Sequence, residues 1–371
     1  MASTTYTAAQ LYGTNGEGTS SINLSSSVQY LFTVDSTLGS NYFTMETVRN
    51  NLGFYDSGSK KNTSGSYFSN AIPTRVSSDY ISGFALATSP YNSFTFTPAI
   101  NVTGSTLLLR GTGNVSLTIF NPLSLFSAGE KGAWFDPTDI KTLFQDSAGT
   151  IPVTAYGQKV GRILDKSGNG NHAIQATTAL QPTYQIDNEG NPNLTFSGSY
   201  TQLATSAIDF TTTAQMMVGI GLNVVSSASA AAALELGTDV NSVNGTFLIG
   251  APSAVADHSL YLRGTSTIRA AVANVSDGDD IIVGLFDISQ ATKELELIPR
   301  LNRVQLSGSQ ITWTGTDAGT GNFGNLPLYM GARSGGTLPF QGKIYQVIVR
   351  GALTNASDIV STENLIDAKL D

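Results

Sequence analysis

Short apolar runs with a period of two constrain the fold of this chain more than any other feature. Val28, Tyr30, Phe32 and Val34 alternate with other residues near the start of the chain, and similar runs follow to its end. A half-buried strand produces this pattern, because successive side chains of a strand point to opposite faces. In the second part of the chain we predict strands at 160–164, 193–197, 214–225, 231–237, 246–250, 259–263, 267–273, 280–286, 293–298, 303–305, 310–314, 327–332 and 342–350. Their number, with Gly- and Asn-rich turns between them, predicts an all-β fold.

The length of 371 residues allows two domains, each large enough to bury a core. We predict a small antiparallel β-sandwich or barrel over residues 1–120, which docks on a larger assembly or forms oligomers. The alternation breaks at 121–131, where Pro122 interrupts it, and this stretch is the predicted linker. Residues 132–371 are predicted to form a jelly-roll sandwich that ends in a short helix.

The C-terminal helix is predicted from its cap and its apolar spacing. Asn355 or Ser357 can accept the first free backbone N–H groups of a helix. Ile359, Ile366 and Leu370 then share one helical face, which predicts one or two amphipathic turns.

Composition excludes several classes of partner and of cross-link. There are 27 acidic and 19 basic residues, for a formal charge of −8, and Lys and Arg do not cluster. We therefore expect no nucleic-acid partner, since phosphate binding requires such clusters. The chain has no cysteine, which excludes disulfides and thiolate metal ligands. Its apolar runs are shorter than the ~18 residues of a membrane span, so we expect no membrane insertion.

Four segments resemble a stretch that recurs in structural proteins of tailed bacteriophages and prophages. They are 132–137 (GAWFDP), 144–153 (FQDSAGTIPV), 160–165 (VGRILD) and 167–172 (SGNGNH). The segment 340–349 (FQGKIYQVIV) resembles the closing strand of a laminin-G-like jelly roll in the concanavalin A-like lectin superfamily. The resemblance implies a lectin-like jelly roll in the second domain, which is a binding module.

The resemblance also implies a function: a virion protein exposed on a bacteriophage particle. Such a protein acts as a tail fibre, a tip protein or another surface adhesin, with weak glycan binding made effective by many copies. Its implied partners are other capsid or tail proteins, further copies of the same chain, and a glycan of the host surface. Residues 1–10 show no secretory signal, so we expect synthesis in the host cytoplasm and localisation in the virion. The alternative is a capsid decoration protein that cements the capsid and binds no ligand.

The loop Asp165–His172 is the first candidate carbohydrate site. Asp165, Asn169, Asn171 and His172 offer a carboxylate, two amides and an imidazole, which are groups that hydrogen-bond to sugars. The same residue types also shape tight turns by bonding to their own backbone, and turn preferences favour this second interpretation. Trp313 lies between threonines and is a candidate stacking platform for a sugar ring.

Acidic residues provide the candidates for metal binding and for catalysis. Asp277, Asp279 and Asp280 have the oxygen ligands that Ca²⁺ prefers, but they lack the spacing of an EF-hand, and a solvated hairpin end explains them better. We otherwise expect no cofactor.

We expect no enzymatic activity, and a glycan-cleaving enzyme is the remaining alternative. Such an enzyme would need two carboxylates roughly 5–10 Å apart across a cleft. Glu235, Glu294 and Glu296 are the internal candidates, the last two on one face of the strand predicted at 293–298.

Overall fold

The structure is a computed structural model, and its described residues divide into two compact units. Unit 1 comprises residues 1–125 with 360–369 and 371, and unit 2 comprises residues 126–359 with 370. Side chains are described for residues 120–225, 230–252, 257–272 and 278–370, whereas within residues 1–119 only the strands are described, by their backbone. The domain boundaries predicted at residues 120 and 131 stay a prediction.

The described strands of unit 1 form two antiparallel sheets. These strands are β1 (Ser3–Tyr6), β2 (Ser21–Leu24), β3 (Tyr30–Ser36), β4 (Phe43–Val48), β5 (Phe54–Tyr55), β6 (Ala85–Leu86), β7 (Tyr91–Pro98), β8 (Val102–Arg110) and β9 (Val115–Phe120). One sheet has the order β1-β9-β3-β7-β5 and the other β2-β8-β4-β6. Antiparallel strands were expected in this part of the chain from its alternating apolar residues.

Unit 2 contains two larger antiparallel sheets. Its strands are β10 (Gly132–Phe135), β11 (Leu143–Phe144), β12 (Arg162–Ile163), β13 (Ala173–Ile174), β14 (Thr183–Ile186), β15 (Pro192–Ser197), β16 (Leu203–Asp209), β17 (Gln215–Val224), β18 (Ala232–Leu236), β19 (Thr246–Gly250), β20 (Asp257–Arg263), β21 (Thr267–Ala273), β22 (Asp279–Asp287), β23 (Leu297–Leu301), β24 (Val304–Gln305), β25 (Ile311–Thr314), β26 (Asn325–Met330) and β27 (Gln341–Arg350). The α-helices among the described residues are α1 (Lys293–Glu296), between β22 and β23, and α2 (Ala356–Leu370), at the C-terminus.

The two sheets of unit 2 enclose one hydrophobic core. The smaller has the order β14-β15-β27-β17-β22-β23-β24, with β10 also paired to β27, and the larger has the order β11-β12-β13-β16-β26-β18-β19-β20-β21-β25. Val218, Ile220 and Val347 from the smaller sheet and Phe247 and Leu260 from the larger belong to the same buried cluster. The predicted all-β class, with two antiparallel sheets packed face to face, is therefore confirmed.

Strand β27 organises the smaller sheet. It pairs along its length with β17 on one side, and with β15 and then β10 on the other. The register joins Trp134 to Ile348 and Phe135 to Val347. Trp134 is 1% exposed, as expected for an aromatic in a buried strand.

Three local predictions need correction. The strand predicted at 293–298 begins only at Leu297, because Lys293–Glu296 forms a helical turn. Strands β11, β13 and β14 were not predicted because two to four residues carry little periodic signal, and β16 was missed because a bulge between Ala204 and Ala207 interrupts its alternation. The C-terminal helix has 15 residues, about four turns, and from Ser361 onward it is buried on nearly every side and so is not amphipathic there.

The cap of α2 is confirmed. Asn355 accepts a hydrogen bond at Oδ1 from the backbone N–H of Asp358, at 2.9 Å, and another from the Ser357 hydroxyl. In the described part of the chain, no helix is long and apolar enough to cross a membrane.

Candidate functional site

The carboxylate of Asp165 is the centre of the loop that was proposed as a sugar site. It accepts hydrogen bonds from the backbone N–H groups of Trp134 (2.9 Å), Ser167 (2.8 Å) and Asn171 (2.9 Å), and from the Ser167 hydroxyl (2.8 Å). Asp165 is only 9% exposed. Four donors on one buried carboxylate fold the loop around it and attach it to β10.

The other loop side chains also bond to the backbone. The Asn171 amide donates to the carbonyl oxygen of Gly132 at 2.7 Å, and the Asn169 amide donates to that of Glu130 at 3.1 Å. The Nδ1 atom of His172 accepts from the Asp165 N–H at 3.0 Å, so this nitrogen carries no proton. Burial, together with the charge of Arg162, lowers the pKa of His172, which keeps the ring neutral.

These contacts describe a loop that is held in shape by its own polar groups. They correspond to the turn-shaping interpretation that the sequence favoured. A sugar-binding role for Asp165, Asn169, Asn171 and His172 stays a prediction.

Trp313 lies on the opposite part of unit 2, in β25 at the edge of the larger sheet. Its ring is half-buried against the main core, and the Lys293 ammonium lies 5.7 Å from the ring centroid. Its register partner is Ala270 on β21, whose side chain is buried in the core. Trp313 therefore presents only part of its ring to solvent, and its role as a sugar platform stays a prediction.

Asp279 and Asp280 of the acidic patch proposed for Ca²⁺ lie in strand β22 and not at a solvated hairpin end. Asp280 is 2% exposed and contacts His258 Nε2 at 3.0 Å and the Asn302 amide at 2.9 Å. Asp279 accepts from the Asn223 amide at 2.8 Å, and Asp277 lies outside the described residues. Within the described ranges, no three His, Asp or Glu side chains are arranged to hold a metal ion.

The glutamates proposed for catalysis do not form a pair. Glu294 and Glu296 lie in the helical turn α1, not on one strand face; Glu294 is exposed whereas Glu296 is buried. Glu296 accepts from the backbone N–H of Ala318 at 2.9 Å, and burial raises its pKa. The helical turn forms because Thr292 accepts backbone bonds from Leu295 and Glu296, a local choice that two-residue alternation does not reveal.

A different polar cluster lies on the outer face of the larger sheet, the face turned away from the core. Strand β20 places Asp257, Ser259 and Tyr261 on this side, while Leu260 and Leu262 point into the core. Tyr261 is half-buried beside Leu248, which belongs with it to a small apolar cluster on this face.

Arg269 of the neighbouring strand β21 binds these residues together. Its Nε donates to the Ser259 hydroxyl at 2.9 Å, and its Nη2 contacts the Asp257 carboxylate at 3.3 Å. The guanidinium carbon lies 5.6 Å from the centroid of the Tyr261 ring, a cation–π distance. The Arg269 side chain remains 26% exposed and that of Asp257 20% exposed, so both reach solvent.

A second group of charges borders the same face. Arg333 Nε donates to Glu235 at 2.8 Å, and its Nη1 contacts Asp239 at 3.0 Å. Glu235 is fully buried, and burial raises its pKa although Arg333 acts in the opposite direction. Asp239 is 35% exposed at the rim. Asp257, Ser259, Tyr261, Arg269, Glu235, Asp239 and Arg333 are called the Tyr261 face below.

The sequence contained part of the signal for this face. Residues 259–263 (SLYLR) place leucine at every second position, which predicts a strand with its other face bearing Ser259, Tyr261 and Arg263. The charges that complete the face come from β21 and from the segments around 235–239 and 333. Strand pairing brings these segments together, and no local pattern predicts which strands pair.

Comparison with known proteins gives no family for the chain. No protein-family model matches it. No curated protein sequence matches it either.

Similar solved structures have low identity. The CBM40 domain of the Ruminococcus gnavus IT-sialidase bound to α2,3-sialyllactose is 16% identical, with a TM-score of 0.31; the match covers 41% of this chain and 83% of that one. The ligand-binding domain of botulinum neurotoxin serotype D in complex with N-acetylneuraminic acid is 9% identical, with a TM-score of 0.40, over 56% of this chain and 49% of that one. The binding domain of Paraclostridial mosquitocidal protein 1 is 10% identical, with a TM-score of 0.40, over 57% and 51% respectively.

Proposed function

We propose that this chain is a surface-recognition protein and that its unit 2 binds a carbohydrate on the Tyr261 face. The observation that carries the proposal is the Arg269 guanidinium, which Asp257 and Ser259 hold against the ring of Tyr261. Sugars present hydroxyl groups around a less polar ring face. An aromatic ring flanked by charged hydrogen-bonding groups complements both parts of such a ligand.

The groups on this face supply both donors and acceptors. A guanidinium carries five N–H donors and a carboxylate accepts several bonds, so Arg269 and Asp257 can bond to neighbouring hydroxyls of one sugar. Burial raises the pKa of the Tyr261 hydroxyl, which therefore stays protonated at neutral pH and can donate. Because only Arg269, Asp257 and Asp239 and part of the Tyr261 ring reach solvent on this face, a single site binds weakly, and several copies presented together bind effectively.

The proposal extends to where the protein acts. We place the chain on the surface of a bacteriophage particle, as a fibre, tip protein or adhesin, in several copies and in contact with other virion proteins. The resemblance of residues 132–172 to phage structural proteins supports this placement. Labelling purified particles with an antibody against the chain tests it; particles that carry no label would contradict it.

The binding proposal is tested with the full chain presented multivalently on a glycan array. We expect binding of at least one glycan, and a loss of roughly tenfold or more in Tyr261→Ala and Arg269→Ala, since each removes a central contact. Arg300→Ala on β23 of the other sheet is the matched control and should bind as the wild type does.

Other results on the array would assign the protein differently. Binding that persists in both face variants but disappears in Trp313→Ala would move the site to β25. If no glycan binds at any valency and particles lose stability when the chain is removed, the protein is a capsid decoration protein.

A further inference from the structure

Lys166 lies between two carboxylates in a mostly buried setting. Its Nζ is 3.0 Å from Oδ2 of Asp136 and 3.1 Å from Oδ2 of Asp139. The side chain of Asp136 is fully buried, and that of Lys166 is 15% exposed. The ammonium also lies 4.7 Å from the centroid of the buried Trp134 ring. A lysine amine is thus held against a buried carboxyl group with a second carboxylate in contact.

The two oxygens of Asp136 have different surroundings. Oδ1 accepts hydrogen bonds from the backbone N–H of Thr138 at 3.1 Å and from its hydroxyl at 2.5 Å. Oδ2 faces Lys166. Two donors on one oxygen stabilise negative charge that develops there when a nucleophile attacks the carboxyl carbon, as an oxyanion hole does. The other oxygen is then the leaving group.

We propose that Lys166 and Asp136 form an intramolecular isopeptide bond, with Asp139 as the proton carrier. This covalent tie does not depend on the proposed function. It joins the end of β10 to the loop after β12 across 30 positions of sequence, in a chain that has no cysteine and hence no disulfide. Close approach of amine and carboxyl, fixed in place by the fold, replaces the activating group that amide formation needs in solution.

The reaction balances without a co-reactant. Asp139 takes a proton from the Lys166 ammonium, and the free amine attacks the carboxyl carbon of Asp136. Of the three ammonium protons, one stays on the new amide nitrogen and two leave with Oδ2 as water. Asp139 passes these protons to Oδ2 and ends as a carboxylate, as it began. The bond formed is Nζ–Cγ, and the bond broken is Cγ–Oδ2.

The rate of this step depends on how readily the Lys166 ammonium loses its proton. Burial disfavours the charged amine, but Asp136 and Asp139 outweigh it and raise the pKa of Lys166. The amine must therefore lose its proton within the cluster before it attacks, so the bond forms slowly after folding.

Mass spectrometry of the denatured full chain tests the proposal. We expect an intact mass lower than that of the sequence by one water molecule. Trypsin does not cut after an acylated lysine, so the fragment that follows Arg162 should run through Lys166 and carry the fragment 132–141. This second measurement separates the bond from dehydration elsewhere in the chain.

Variants assign the roles. Lys166→Arg keeps the positive charge but should have the full mass, and Asp139→Asn should fold and remain uncrosslinked. Lys159→Arg is the matched control and should keep the bond, because Lys159 donates to the carbonyl oxygen of Gln181 and contacts neither carboxylate in this set.

The wild-type chain alone decides the proposal even if the variants fail to fold. A full mass, with fragments 132–141 and 163–166 recovered separately, overturns it and leaves an ion pair. A crosslink that persists in Asp139→Asn overturns the role given to Asp139.

Discussion

At the scale of single residues, buried carboxylates determine the local structure of unit 2. Asp165 accepts four hydrogen bonds from residues that lie before and after it in the chain. A carboxylate tolerates burial only when donors replace its lost water. Each such residue therefore selects one conformation of its loop. The direction in which its replacement changes the stability of the fold can be predicted.

Replacing Asp165 with alanine should destabilise unit 2 strongly. The change leaves the buried backbone N–H groups of Trp134 and Ser167 without an acceptor, which costs about 2 to 4 kcal/mol. Urea unfolding followed by fluorescence measures the change. Asp146→Ala is the control: its carboxylate accepts similar bonds from Thr150 and Ile151 in an exposed turn, where water replaces the lost partner, so its effect should be clearly smaller. Equal effects would show that the Asp165 contacts do not hold the loop.

Asp279 should make stability depend on pH. Burial, with a contribution from the nearby charge of Asp187, raises its pKa. The hydroxyl oxygen of Tyr345 lies 2.9 Å from Asp187 Oδ2 and 3.2 Å from Asp279 Oδ1. Its single proton can be donated to only one of these two carboxyl groups at a time. A raised folded-state pKa adds stability below the unfolded pKa, and this stability is lost as pH rises through the folded pKa. Asp279→Asn should therefore be more stable than the wild type at pH 7 and similar to it near pH 3.5.

Asp287 provides the control of opposite sign. Burial opposes its ionisation, but hydrogen bonds from Ser289, Gln215 and Gln290 outweigh burial and lower its pKa. Its contribution to stability is present above the unfolded pKa and is lost as pH falls through the folded pKa. Asp287→Asn should therefore reduce stability at pH 7, with a difference that shrinks in acid. Denaturant unfolding of both variants between pH 3.5 and 7 measures the two trends; parallel trends would refute this assignment.

At the scale of elements, some turns between strands leave no space for a Cβ atom. Gly331 follows β26 with a φ of +87°, and an added Cβ would lie 2.1 Å from the ring of Phe196. Its N–H donates to Ala233 and its carbonyl accepts from Phe340, so the backbone cannot shift away. The turn that leads from β26 to β27 therefore requires glycine at this position.

Gly331→Ala should be far more disruptive than the same change at Gly157. Gly157 has the same φ of +87° but no atom near its missing Cβ, so alanine there should cost only backbone strain, about 1 kcal/mol. At Gly331 the overlap with Phe196 adds to the strain, for a total of roughly 3 kcal/mol or more. Thermal unfolding of the two variants measures the difference. Similar melting temperatures would mean that the Phe196 ring moves aside freely.

At the scale of the whole molecule, distant segments of chain meet in the sheets. Strand β10 (Gly132–Phe135) pairs with residues Val347–Arg350 of β27, more than 200 positions away. Such pairings require long loops to close before any contact forms, which slows folding. The topology of unit 2 therefore predicts that β10 and β27 pair late in folding.

The signal of Trp134 should recover late in refolding. In a Trp313→Phe variant the remaining tryptophan is Trp134, which lies in β10 and is 1% exposed. After dilution from denaturant, its fluorescence should return over seconds or longer, because β27 must first find its partners. Stopped-flow fluorescence measures this, with far-UV circular dichroism as the reference for earlier strand formation. Recovery within about a millisecond would contradict the dependence on β27.

Much of the fold was accessible from the sequence, whereas most of the site was not. Strands such as β19 and β21 were located to the residue, because each is a short, mostly apolar run bounded by turn-forming residues. Alternation misassigned Lys293–Glu296, where a single helical turn has no period to detect. The Asp165–His172 loop was identified as a tight polar turn because its residue types allow few other structures.

The amino-acid sequence by itself determined the all-β class, most strand positions in unit 2 and the cap at Asn355, since these follow from side-chain alternation and from bonds between neighbouring residues. Only the tertiary structure decided that Arg269 lies against Tyr261 and that Lys166 lies between Asp136 and Asp139. These contacts depend on which strands pair and in which register. That choice is made by the packing of the whole core and leaves no local pattern in the chain.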